Sequence, residues 1–116
     1  MTAEVMGEDS LRCLFALAMR NVGWEVRVVF ARTFFQRLLG MTRLGRRLSD
    51  ACNGSAMAFV GCGCVHTFWM DRPLDIVFID RSGSPLALHE FVPSRRIVHC
   101  PGAFAVIERL SGDAHK

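Results

Sequence analysis

Between Ala56 and Leu110 the chain is cut into short β-prone runs, too closely punctuated for an ordinary helix. Ala56–Val60, Val65–Met70, Leu74–Asp80, Pro85–Phe91, Ile97–Cys100 and Ala103–Leu110 are rich in β-branched, aromatic and other apolar residues. Gly61 and Gly63 interrupt the first pair, and Pro73 opens the third run. Asp80-Arg81-Ser82-Gly83 reads as a tight hairpin turn, and Pro93–Arg96 and Pro101-Gly102 mark the later breaks. Short strands at this spacing bury their apolar sides only by pairing with one another. The second half of the chain therefore has to be a sheet.

The first half is more varied. Residues 1–10 are small, polar and acidic and read as a flexible tail. Asn21-Val22-Gly23 is a turn signal followed by the β-prone stretch Trp24–Ala31. A hairpin joining 12–19 to 24–31 satisfies both; a helix over Leu11–Arg20 is the alternative. Thr33 can cap a short helix over Phe34–Leu39, which carries Arg37 and ends at Gly40. One more helical turn fits 44–48, and Asn53-Gly54 marks a loop. The expected fold is mostly β: a small antiparallel barrel or curled sheet with one or two short helices covering an end. It forms one domain over residues 11–112, with a tail at 113–116.

Composition narrows the function. The chain has 116 residues, the size of one domain, with 14 Lys and Arg against 11 Asp and Glu. The Arg residues are scattered, paired only at Arg46-Arg47 and Arg95-Arg96, unlike the concentrated charge of a nucleic-acid surface. Five cysteines cannot all pair within the chain, and no CxxC repeat suggests structural zinc. Reduced thiols in a cytoplasmic protein are the expectation. The apolar run Leu14–Met19 is too short for a membrane span. Glu4, Glu8 and Asp9 before it are the wrong charge for a signal peptide.

Four blocks carry a family resemblance. They are Thr33-x-x-x-Arg37-x-x-x-Gly40-Met41-x-Arg43, then Cys62-x-x-Val65-His66-Thr67-Phe68-Trp69-Met70. Pro73-Leu74-Asp75-Ile76-Val77-Phe78-Ile79-Asp80-x-x-Gly83 follows, and Gly102-Ala103-x-Ala105-Val106-Ile107-Glu108-x-x-x-Gly112 closes the series. In order and spacing they resemble the bacterial and archaeal domain of unknown function 192 family, from about Val26 to Gly112. The resemblance implies a small β-rich, barrel-like fold with short helical pieces, and no particular activity. Gly61 and Cys64 stand where such proteins often have Pro and Ser. Arg72 replaces a more usual aromatic or Asn-like residue.

The chemistry centres on His66. In a continuous strand His66, Phe68 and Met70 share a face, with Cys62 and Cys64 upstream on the same side. Cys62, Cys64, His66 and Met70 are donors that suit copper, or in part zinc. Alternate residues on a strand are roughly 6–7 Å apart, so one strand alone cannot wrap an ion. His99-Cys100 adds ligands if its strand lies beside His66. Asp75, just after Pro73, is a structural acceptor or a partner for Arg37 or His66. No nucleophile is visibly held beside His66, so catalysis is not the leading expectation. The leading expectation is a non-enzymatic module binding a small molecule or a protein partner, without a cofactor. Arg37, His66, Trp69 and Asp75 would line the site, where the 65–70 and 74–80 strands meet the Arg37 helix. The alternative is a metal-binding or catalytic protein built on His66 with Cys62 and Cys64.

Overall fold

The structure is a computed structural model that describes residues 7–31, 40–48 and 55–112. Its elements are α1 (Glu8–Val22), β1 (Arg27–Phe30), α2 (Arg43–Leu48), β2 (Ser55–Val60), β3 (Cys64–His66), β4 (Leu74–Ile79), β5 (Pro85–Val92), β6 (Ile97–His99) and β7 (Ala105–Leu110). Five strands form one sheet in the order β1-β2-β7-β4-β5, and β3 pairs with β6 in a separate two-stranded ribbon. The fold is thus mostly β with two short helices. The sheet is open: among the described residues no pairing joins its edges, β1 and β5, into a barrel.

The N-terminal hairpin is replaced by a helix. Leu11, Leu14, Phe15, Ala18, Met19 and Val22 recur at helical spacing, and all six pack against one face of the sheet. Glu8 and Asp9 lie in the first turn and Arg20 in the last, both favourable to the helix dipole. Gly23 ends the helix at φ 76°, where its N–H donates to Arg20 O and that of Trp24 donates to Met19 O. The supposed hairpin turn is therefore a helix C-cap, and residues 8–10 belong to the helix and not to a tail. Freed from a hairpin, β1 pairs with β2 in parallel, Arg27 opposite Ser55 through Phe30 opposite Ala58. The intervening segment is long enough to carry the chain back across the sheet, which parallel pairing requires. The helix expected over 34–39, with Arg37, lies outside the described residues.

The remaining strands follow the sequence pattern more closely. β7 is the middle strand, antiparallel to both β2 and β4. The turn before β5 is stitched by Asp80, whose Oδ1 accepts from Ser82 N (2.8 Å) and Ser84 N (3.0 Å). Alternation divides the sheet into two faces. Ala56, Ala58, Val77, Ile79, Ala105 and Ile107 lie under α1 and Trp24. Met57, Phe59, Leu74, Ile76, Phe78, Val106 and Leu110 face the other way, against Met41 and against Val65 and Val98 of the ribbon. No helix among the described residues is long and apolar enough to cross a membrane.

Asp75 anchors the α1 face. Its side chain is fully buried (0% exposed) and accepts from Arg109 Nε at 2.9 Å, Ser111 Oγ at 2.6 Å and Phe91 N at 3.0 Å. Arg109 stacks over the Trp24 ring, 4.3 Å from its centroid. Asp75→Ala leaves the Arg109 charge buried without its counter-charge and is expected to cost about 3–5 kcal/mol, read from urea unfolding. Asp75→Leu combined with Arg109→Met should recover much of that loss. A cost below about 1 kcal/mol for the single change would show that Arg109 reaches solvent instead.

Candidate functional site

On the face away from α1, the ribbon and residues 40–42 enclose a chamber of about 60 Å³. It was reached from three directions in sequence. Gly40, Met41 and Thr42 form one wall, Cys62 to His66 with Met70 form a second, and Phe59 and Glu108 rise from the sheet below. Wider clefts of about 380 to 590 Å³ lie elsewhere, but their titratable groups are exposed or half-exposed. The chamber alone combines enclosure with a buried ionisable group.

The first wall is held by Thr42 and Arg46. Thr42 Oγ1 accepts from Gly45 N at 3.1 Å and caps α2. Arg46 Nη1 donates to Met41 O at 2.7 Å, and the same guanidinium grips Asp71 through both oxygens at 3.1 and 3.0 Å. That fork ties the segment beside Met41 to the residue after Met70. The Arg46 hydrogen bond is also the main reason the Asp71 carboxyl sits below its ordinary pKa.

The second wall departs from the expected strand. β3 ends at His66, because Thr67 turns into a hydrogen-bond hub for the 93–96 loop. Thr67 Oγ1 donates to Pro93 O at 2.6 Å and accepts from Arg96 N at 2.9 Å, while Thr67 N donates to Arg96 O at 2.9 Å. Phe68 and Trp69 then fold back on His66. Trp69 has φ 67°, a left-handed backbone unusual for a bulky residue, and is 70% exposed. Its ring meets the His66 ring edge-on at 5.7 Å, and Phe68 lies 5.4 Å away on a tilt. His66 Nδ1 accepts from Phe68 N at 3.3 Å.

Between the two strands of the ribbon the backbones run unusually close. A Cβ on Gly63 would sit 2.8 Å from Cys100 O, so only glycine fits between Cys62 and Cys64. Cys62 points its thiol back to Cys64 O at 3.0 Å. Cys64 is exposed and stands opposite His99 across the ribbon, so the 97–100 strand does lie beside His66. Cys13, Cys62, Cys64 and Cys100 are free.

Glu108 forms the floor. It faces the chamber from β7, flanked by Met57 and Ile76 on the neighbouring strands, with Gly40 against its Oε1. It is 4% exposed, and no described residue hydrogen-bonds its carboxyl. Burial pushes its pKa up to about 8.

The chamber thus brings together the four proposed metal donors Cys62, Cys64, His66 and Met70. It does not bring in Asp75, whose side chain is committed to Arg109 on the opposite face. Trp69 borders His66 without lining the chamber, and Arg37 lies outside the described residues. Met41 and Glu108 were not anticipated as site residues. Glu108 carried a signal, a lone acid inside the apolar run Ala103–Leu110 at a position whose neighbours two residues away face the core. Met41 carried none.

A family model described as domain of unknown function 192, uncharacterized ACR, matches residues 17–116. No curated protein matches the sequence. A crystal structure of a protein of unknown function from Novosphingobium aromaticivorans DSM 12444 is similar, with TM-score 0.60 and 18% identity. That match covers 78% of this chain and 66% of the other, so this chain spans just under two thirds of that neighbour. A crystal structure from Sinorhizobium meliloti 1021, described as a proposed transcription regulator, matches with TM-score 0.59 and 23% identity, covering 76% of this chain and 70% of the other. At these identities the likeness is one of fold.

The Glu108 environment dictates a pH dependence. Below about pH 4.5 folded and unfolded chains both hold the proton; from there to about 8 only the folded chain holds it. Stability of the metal-free protein should therefore fall as pH rises through this window, by at most about 1.4 kcal/mol per unit. Urea unfolding at pH 5, 6, 7 and 8 in chelator reads this slope, and Glu108→Gln should flatten it. A wild-type slope no steeper than that of the variant would place the carboxyl in contact with water.

Proposed function

Because the chain belongs to the domain of unknown function 192 family, whose description brings no activity, we propose its function from the chamber itself: a non-enzymatic binding module. The chamber under His66 takes a ligand of only a few atoms. The observation that carries this is the Glu108 carboxyl at the chamber floor: the residue is 4% exposed, burial raises its pKa to about 8, and no described residue hydrogen-bonds it. A ligand that enters and pairs with it offsets part of the cost of that burial.

Size sets the ligand class. Sites for drug-sized molecules run to about 300–1,000 Å³, whereas a water needs about 10–15 Å³. The chamber, at about 60 Å³, suits an ion or a very small molecule. His66 borders the chamber, its ring braced by Phe68 and Trp69. The Arg46–Asp71 fork and the Thr67 hub keep the two walls at a set separation, so the site is built before the ligand arrives.

Methyl resonances of Met41 and Met70 report occupancy directly, since both side chains line the chamber. Titration with chloride, formate, Zn(II) and Cu(I) in turn should give a saturable shift of both methyls for at least one probe, with the Met19 methyl, on the α1 face, unmoved. If no probe shifts Met41 and Met70 at millimolar concentration, the module reading fails.

A further inference from the structure

Sulfur dominates the lining of the chamber. Met41, Cys62, Cys64 and Met70 all border it, together with Phe59 and Val65. Met41 is buried, and Cys62 and Met70 are half-buried and packed on the same core. Two thioethers and a half-buried thiol are an unusual lining for a space of about 60 Å³. Such a space has no room for a long apolar ligand, for which methionine would be mere gap filling.

We infer that the chamber is a Cu(I) site in which Met41, Cys62 and Met70 supply the sulfur ligands. The inference rests on the small-ligand reading above and names its ligand. Thioether sulfur selects soft cations such as Cu(I), whereas Zn(II) is held by thiolate, imidazole and carboxylate. The two methionines supply the thioether donors here, which is the part of the lining that favours Cu(I) over Zn(II). Cys62 ligates as the thiolate: its proton leaves to solvent, the hydrogen bond to Cys64 O is released, and the copper stays Cu(I) throughout. Cys64 is exposed, at the rim. His66 keeps its Nδ1 engaged with Phe68 N and borders the chamber.

The connection is set by the fold. Met41 and Met70 are far apart in sequence but belong to the two segments that Arg46 joins, through Met41 O and the Asp71 carboxylate. Gly63, next to Cys62, lets the ribbon pass close to Cys100.

The test is a competition titration of the reduced full chain with Cu(I) buffered by bicinchoninate. The inference expects one Cu(I) per chain, with at least a tenfold loss of affinity in Cys62→Ser and in Met70→Leu. Cys13→Ser, an exposed thiol on α1, should be without effect. Met41→Leu should weaken binding too. Because Met41 is buried, circular dichroism must first show that variant folded, and Met70→Leu decides the question alone if it is not. Affinity unchanged in Met70→Leu, or lowered equally by Cys13→Ser, overturns the Cu(I) site. Should chloride, formate or Zn(II) move the Met41 and Met70 methyls while Cu(I) does not, the copper inference falls and the binding module stands. If none of the four does, both fall.

Discussion

The pleat of β7 carries the structure. Two adjacent ionisable residues sit in the middle strand of the sheet, and strand geometry sends them to opposite faces. Arg109 turns under α1, where it meets the Asp75 carboxylate and the Trp24 ring, and Ser111 Oγ donates to the same carboxylate. Glu108 turns to the other side, where no described residue hydrogen-bonds it. A shift of one residue in the register of β7 would exchange them and bury an arginine in the chamber. The Asp75 network fixes that register, since only one alignment places Arg109 beside Asp75. The structural ion pair on one face therefore determines what is presented on the other.

That division explains why the two faces differ in character. The α1 face is filled by apolar side chains of conventional size around one buried charge pair, Asp75 with Arg109. Among the described residues the ribbon face is covered by Val65, Val98 and Met41, with Cys62 and Met70 half-buried beside them. The chamber lies beneath them, over Glu108. The Arg46–Asp71 fork and the Thr67 hub close it in from the sides using polar contacts at the rim, where they are partly wet.

Much of this was legible in the residues. The later strands followed their β-branched runs and turn residues, and the described parts of the blocks behind the family resemblance lie in the sheet and around the chamber. The N-terminal segment was misread because Gly23 serves equally as a hairpin turn or a helix cap. The spacing of Leu11, Leu14, Phe15, Ala18, Met19 and Val22 held the answer. Residues 67–70 look like strand by propensity, yet loop hydrogen bonds to Thr67 outweigh propensity there. Asp75 looked like a site residue because an acid in an apolar strand invites it; its partner, Arg109, is separated by a distance in sequence that local patterns do not span. Met41 and Glu108 became site residues only through tertiary packing.

The strand order also bears on how the protein is made. β7 lies between β2 and β4, so residues 55–60 and 74–79 have no edge in common until residues 105–110 arrive. Until then the chain consists of two half-sheets, each exposing the side meant for the missing strand, and the chamber has no floor. Formation of the core is therefore a single late event, governed by closure of long loops. Damage that prevents insertion of this one strand would leave two sticky edges in place of a partly working protein.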